Sequence, residues 1–240
     1  PLGVVIAPAD GSFTFDDNSE SLDQGGFETP AYTELISYRT SWDAWHLAGL
    51  DAAGDIISVW TAPAVFTSWR TDNLSQVNGS APLTGGLTAI LTSWSGINLT
   101  GLNEDGEIVV TWWIPDFGGE WQNTHLTEVF DGPSIRGGGL TGYYTSWDGM
   151  NYAGLNEDTQ IVIYWWVPDF GGQWTTSVIT SVEDIDVPRP TGSLTSIASD
   201  AGTLAILGAS GNGDVVRASW QPGQGGDWTL ENLSVLADRA

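Results

Sequence analysis

The sequence predicts an all-β fold: a β-propeller of four-stranded antiparallel blades, with four full repeats of about 53 residues plus a partial N-terminal blade. Three observations predict it. Leu35, Leu87, Leu140 and Leu194 open four similar segments, spaced by 52, 53 and 54 residues. Each leucine is followed at a fixed offset by a glycine (Gly49, Gly101, Gly154, Gly208), then by a proline (Pro63, Pro115, Pro168, Pro222). Six residues past each proline stands a tryptophan: Trp69, Trp121, Trp174 and Trp228. Finally, Ile108–Ile114 and Gln160–Val167 are apolar at odd and even positions alike, so those strands must be covered on both faces.

Taken in order, residues 1–34 read as part of a blade. Val4–Ala7, Pro8 and Phe13–Phe15 match the third strand, proline and fourth strand of a further copy. The full repeats then occupy 35–86, 87–139, 140–193 and 194–240 within a single domain. The third copy shows the pattern best. Leu140–Trp147 is a first strand ended by the turn pair Asp148-Gly149. Asn151–Leu155 is a second strand, closed by the polar turn Asn156–Thr159. Gln160–Val167 is a third strand, stopped by Pro168, and Trp174–Val182 is a fourth. Small residues in the second strand are expected where blades crowd toward the axis. Helix is expected to be nearly absent, because glycine, proline and β-branched residues interrupt every helical window. An unfinished N-terminal unit implies that self-association, or a parent protein, completes the ring.

Composition narrows the function. Thirty acids face six arginines and no lysine, for a net charge of −24. That field disfavours nucleic acid and anionic membranes and leaves cations or neutral ligands. No apolar run reaches the roughly 18 residues of a membrane span. Without cysteine there is no disulfide framework and no thiolate metal site. The expected location is extracellular or at the cell surface.

The residues of chemistry are sparse. His46 and His125 fall at non-equivalent places in their repeats, and nucleophile-elbow, P-loop and zinc-protease patterns are missing. Glu104, Asp105, Glu157 and Asp158 read as solvated turn acids, so no catalytic set is expected. No cofactor is required. Calcium is the one ion that oxygen-rich stretches, Asp16-Asp17-Asn18 with Glu20 and Glu183–Asp186, could accept. The sharper signal is aromatic. Trp112-Trp113 and Trp165-Trp166 put one indole on each face of a strand, and Trp69, Trp121, Trp174 and Trp228 recur as packing residues. Trp42, Trp94 and Trp147 sit differently, at turn edges beside Asp or Ser; the fourth copy has Ala201 there, and Ser219 for the first tandem indole. An indole at a loop among polar groups suits a sugar, whose C–H face stacks on the ring.

The order Thr92-Ser-Trp94-Ser-Gly96, Trp112-Trp113, Asp116-Phe-Gly-Gly119, Trp121 recurs as Thr145-Ser-Trp147-Asp-Gly149, Trp165-Trp166, Asp169-Phe-Gly-Gly172, Trp174. It resembles the blade of tryptophan-rich lectin propellers, including tachylectin- and tectonin-like proteins and the bacterial and fungal fucose-binding lectins. The resemblance covers residues 35–237 and implies glycan binding in clefts between blades, one weak site per blade, multiplied by avidity. Fucose-type sites in that family use an arginine in each blade. Here Arg39, Arg70 and Arg217 lie at non-equivalent positions, which counts against a simple fucose lectin.

The reading is therefore a non-enzymatic, lectin-like or adhesive propeller whose partners are glycans. The expected contacts are Trp94 and Trp147, with Asn98, Asn151 and Asp148 as polar partners and Asp116 and Asp169 nearby. The alternatives are a structural or protein-interaction module of a surface or filament assembly and, third, a glycan-active enzyme.

Overall fold

Sixteen strands form four separate sheets in the computed structural model, which describes residues 32–116, 118–136, 139–180, 187–223 and 227–237. Each sheet is an antiparallel meander in chain order. The first blade holds β1 (Glu34–Arg39), β2 (Trp45–Leu50), β3 (Ile56–Ala62) and β4 (Phe66–Asn73). The second holds β5 (Gly85–Leu91), β6 (Ile97–Leu102), β7 (Ile108–Trp113) and β8 (Gln122–His125). The third holds β9 (Thr141–Tyr144), β10 (Met150–Leu155), β11 (Ile161–Trp166) and β12 (Thr175–Val178). The fourth holds β13 (Pro190–Ala198), β14 (Leu204–Ser210), β15 (Val215–Trp220) and β16 (Thr229–Asn232). This is the expected propeller architecture, four blades with no backbone strand pairing from one described sheet to the next. The reading of a partial N-terminal blade, and both acidic stretches considered for calcium, lie outside the described residues.

The same local chemistry closes every blade. At the first hairpin a hydroxyl caps the turn: Thr40, Thr92, Thr145 and Ser199 each accept the backbone N–H four residues on, at 2.8–3.0 Å. The residue before that N–H lies in the left-handed region, with φ of 66° at Asp43, 64° at Ser95, 63° at Asp148 and 84° at Gly202. At the second hairpin Asp51, Asn103 and Asn156 each accept two backbone N–H groups through one side-chain oxygen. Glu104, Asp105, Glu157 and Asp158 are exposed at these tips. After the fourth strand, Ser75, Thr127, Thr180 and Ser234 each accept the N–H that starts their blade's third strand or lies at its edge.

Two expectations change. Short helices follow the fourth strands: α1 (Leu74–Asn78), α2 (Leu126–Val129) and α3 (Leu233–Ala237). They are single turns held by tertiary contacts, so they carry no helical periodicity. The repeated glycines also crowd against a different neighbour. A Cβ on Gly101 would lie 2.7 Å from Leu83, and one on Gly154 would lie 2.3 Å from Ile135. Both obstacles sit on the segment that enters the same blade, so the glycine makes room for the incoming chain rather than for the adjacent blade.

Blades stack face to face, which is why the third strands are apolar on both sides. One core cluster joins Ala48, Leu50, Ile56 and Leu74 to Leu83, Leu87, Ile97, Leu99 and Val109, between the first and second blades. A second joins Ile90, Ile108, Val110 and Leu126 to Leu140, Tyr152, Val162 and Tyr164. A third joins Tyr143, Ala153, Ile161 and Ile163 to Leu194, Leu204, Ile206 and Ala218. Each blade thus has a forward face, packed on the next blade, and a rear face, packed on the one before. First strands lie side by side. There the Glu34 carboxylate accepts the Gly86 and Leu87 N–H groups at 3.0 and 2.6 Å, and Thr88 accepts the Gly142 N–H at 3.2 Å.

Candidate binding rims between blades

The capped first hairpin throws its tryptophan forward onto the next blade. Trp42 meets Trp113 with ring centroids 5.4 Å apart, Trp94 meets Trp166 at 5.7 Å, and Trp147 meets Trp220 at 5.7 Å. The partner in each case is the second tandem indole of the following blade. The first tandem indole turns the other way and bonds within its own sheet: Trp112 Nε1 donates to Thr124 at 3.1 Å and Trp165 Nε1 to Ser177 at 3.0 Å. In the first blade Trp60 Nε1 donates to Asp72 at 2.6 Å. Trp121, Trp174 and Trp228 pack against the three inter-blade cores, and Trp174 stacks on Tyr152 at 5.6 Å.

The richest rim lies between the second and third blades. The Tyr144 hydroxyl donates to Asp148 Oδ1 at 2.6 Å, lies 3.1 Å from Ser93 Oγ, and accepts the Ser93 N–H at 3.2 Å. Tyr144 also meets Trp94 edge-on at 6.0 Å. The bond from Tyr144 holds the Asp148 carboxyl below the usual carboxylate range, while burial and the bond to Asp148 raise the tyrosine. The result is an aromatic edge beside a fixed carboxylate and two hydroxyls, a set that accepts and donates hydrogen bonds around an apolar surface.

Trp94 and Asp148 are therefore brought together, although they belong to different repeats. Trp147 and Asp148, adjacent in sequence, are parted: Asp148 turns back to the Trp94 rim, and Trp147 reaches forward to Trp220. Trp147 is 36% exposed and lies over Gly202, where a Cβ would stand 3.0 Å from its ring. Asn98 and Asn151 are buried on the forward faces of β6 and β10. Asn98 Nδ2 bonds the Ile90 carbonyl at 3.4 Å; Asn151 Nδ2 has no partner among the described residues. Asp116 and Asp169 are exposed on third-hairpin turns, at the same end of the strands as the first hairpins.

Tyr144 and Ser93 escape sequence reasoning, as do the walls Trp113, Trp166 and Trp220. The available signal was their offset from the leading leucine, which puts Tyr144 on the rear face of β9. The first rim is tied by a 2.9 Å contact between Ser41 Oγ and Ser95 Oγ. His46 occupies the column of Asn98 and Asn151, stacked between Tyr38 at 4.7 Å and Trp60 at 5.6 Å. His125 lies 3.4 Å from Glu107. Among the described residues no group of three or more His, Cys, Asp or Glu could hold a metal ion, and no helix is long and apolar enough to cross a membrane.

Solved structures share this propeller of four-stranded blades. The chain is similar to a triple arginine-to-alanine mutant of AofleA from Arthrobotrys oligospora, with a TM-score of 0.59 and 16% identity over 82% of this chain and 56% of that one. It is similar to the SapL1 lectin solved with alpha methyl fucoside, at 0.55 and 14% over 82% and 61%. The BP39L lectin from Burkholderia pseudomallei matches at 0.57 and 14% over 81% and 53%. The chain thus spans little more than half the length of these structures. No family model and no curated protein matches the sequence.

Proposed function

We propose that this chain is a non-enzymatic carbohydrate-binding module, lectin-like or adhesive, with weak repeated sites at the inter-blade rims and an extracellular or cell-surface setting. The observation that carries it is the Trp94 rim. An indole, a tyrosine, a serine and an ionised aspartate from two blades converge there, the chemistry by which a sugar's C–H face and hydroxyls are held together. Trp147 supplies a more open shelf on the next rim, with Asp116 and Asp169 on the neighbouring turns. Two of the similar structures are named for arginine substitution or bound fucoside. Here Arg39, Arg70 and Arg217 stand at non-equivalent places on β1, β4 and β15. Arg136 and Arg189 do recur, each 49 residues past a leading leucine, but Arg189 donates to the Asp158 carbonyl at a second hairpin, the end away from the rims, so a sugar other than fucose is the better candidate.

A glycan array with the purified chain, run with and without calcium, tests this. The expected result is a defined glycan signal that falls at least about tenfold in Trp94→Ala, the scale of losing one stacked aromatic. Trp147→Ala should weaken the remainder. Silence from a folded protein, or a signal that survives both substitutions, overturns the reading.

A further inference from the structure

The three rims share their paired indoles but differ at two positions around the capped turn of the blade behind. Directly before the capping hydroxyl, that blade supplies Leu91 to the first rim, Tyr144 to the second and Ala198 to the third. Three residues after the hydroxyl it supplies Ser95, Asp148 and Gly202. At this turn position a carboxylate therefore enters the second rim, a hydroxyl the first, and no side chain the third. Asp148 is partly exposed there, on the same rim as Trp94.

The first blade shows what a carboxylate at that turn accepts. Asp43 holds the place of Asp148, with φ of 66° against 63°, and Arg39 holds the place of Tyr144. Arg39 Nε donates to Asp43 at 2.6 Å, and its guanidinium lies 5.6 Å from the centre of the Trp45 ring. A cation thus sits between the carboxylate and an indole. In the third blade a tyrosine replaces that arginine, and the bonds that hold Asp148 ionised come from the uncharged Tyr144 and Ser93. An ionised carboxylate offers about four acceptor sites, so these bonds leave capacity for a further donor. Beside it Trp94 stands 6.0 Å from Tyr144 and 5.7 Å from Trp166. Aromatic faces attract cations, and a chain of net charge −24 concentrates them at its surface.

We infer that the second rim takes a sugar bearing a free, protonated amine, of the glucosamine type, with its ammonium on Asp148 beside the aromatic rings and its C–H face on Trp94. The inference rests on the carbohydrate reading and narrows it to a ligand class at one rim. N-acetylation removes the charge and replaces the ammonium with a neutral amide, so the acetylated sugar loses the charge-assisted bond. The first and third rims, with Ser95 and Gly202 at this position, lack the group that would prefer the amine.

Isothermal titration with a glucosamine disaccharide and its N-acetylated form, in low and raised salt, tests the inference. The free amine should bind at least about tenfold more tightly in low salt, and the gap should narrow as salt rises. In Asp148→Asn, which keeps an acceptor for Tyr144 and suits a left-handed turn, the gap should fall below about twofold. Asp148→Ser, which copies Ser95 at φ 64°, serves should the first variant fail to fold. A wild-type chain without the gap overturns the proposal. So does a gap that survives in the folded variants, because the acidity of the whole surface would then account for it. Equal binding of a lysine dipeptide overturns it too, since the rim would then select charge without sugar. If both disaccharides are silent while a neutral glycan binds through Trp94, this inference fails and the carbohydrate reading stands; a silent glycan array sinks both.

Discussion

A single hydroxyl does more for this fold than its sequence position suggests. Thr145, itself buried, accepts the Gly149 N–H at 2.8 Å, and the turn this closes sets Asp148 and Trp147 on opposite sides. Thr145→Val keeps the shape and leaves the N–H unpaired, which should cost about 1–3 kcal/mol in a urea titration. His46 offers a second test. Burial lowers it from 6.5 to about 4, with Asp72 opposing in part. Above pH 6.5 it is neutral whether folded or not. As pH falls from there toward about 4, the unfolded chain gains a proton that the fold refuses, and stability declines across that window. In His46→Asn, which copies the second and third blades, this part of the decline should vanish; urea midpoints compared with wild type at several pH values will show it. The hydroxyl was visible in the sequence as Thr-Ser-Trp, but its partner was not, because the bond closes only when the turn forms.

At the scale of the element, the short helices are the informative case. Leu126 of α2 is 1% exposed in the core between the second and third blades, so Leu126→Ala should cost about 2–5 kcal/mol. Leu233→Ala in α3, where nothing is buried, should cost less than about 1 kcal/mol, and chemical denaturation of the pair measures the contrast. The sequence Asn-Leu-Ser at Asn73 and again at Asn232 has a structural meaning here. Asn73 caps α1, the leucine after it enters the core, and the Ser75 hydroxyl accepts the Ile56 N–H. Strands were legible because their apolar runs recur at fixed offsets and are bounded by turn residues. A helix of four or five residues shows no period, and its anchor could be recognised only from the neighbouring blade it fills.

For the whole molecule, repetition made the architecture readable and the site partly unreadable. Offsets from Leu35, Leu87, Leu140 and Leu194 locate every blade without any contact being known. The rim, however, is assembled across repeats: Trp94 comes from one and Asp148 with Tyr144 from the next. Asp148 stands next to Trp147 in sequence, and only the stacking of blades shows it joined through Tyr144 to the Trp94 rim. The buried Asn98 and Asn151 mislead for the same reason, since a polar residue near a turn looks accessible until a second sheet covers it.

The paired indoles have an optical consequence. Three tryptophan pairs with centroids 5.4–5.7 Å apart are close enough for their electronic transitions to couple, and each pair spans one blade-to-blade junction. Their exciton signal in the far-ultraviolet would disappear junction by junction as blades part. The molecule carries its own spectroscopic gauge of which seam opens first.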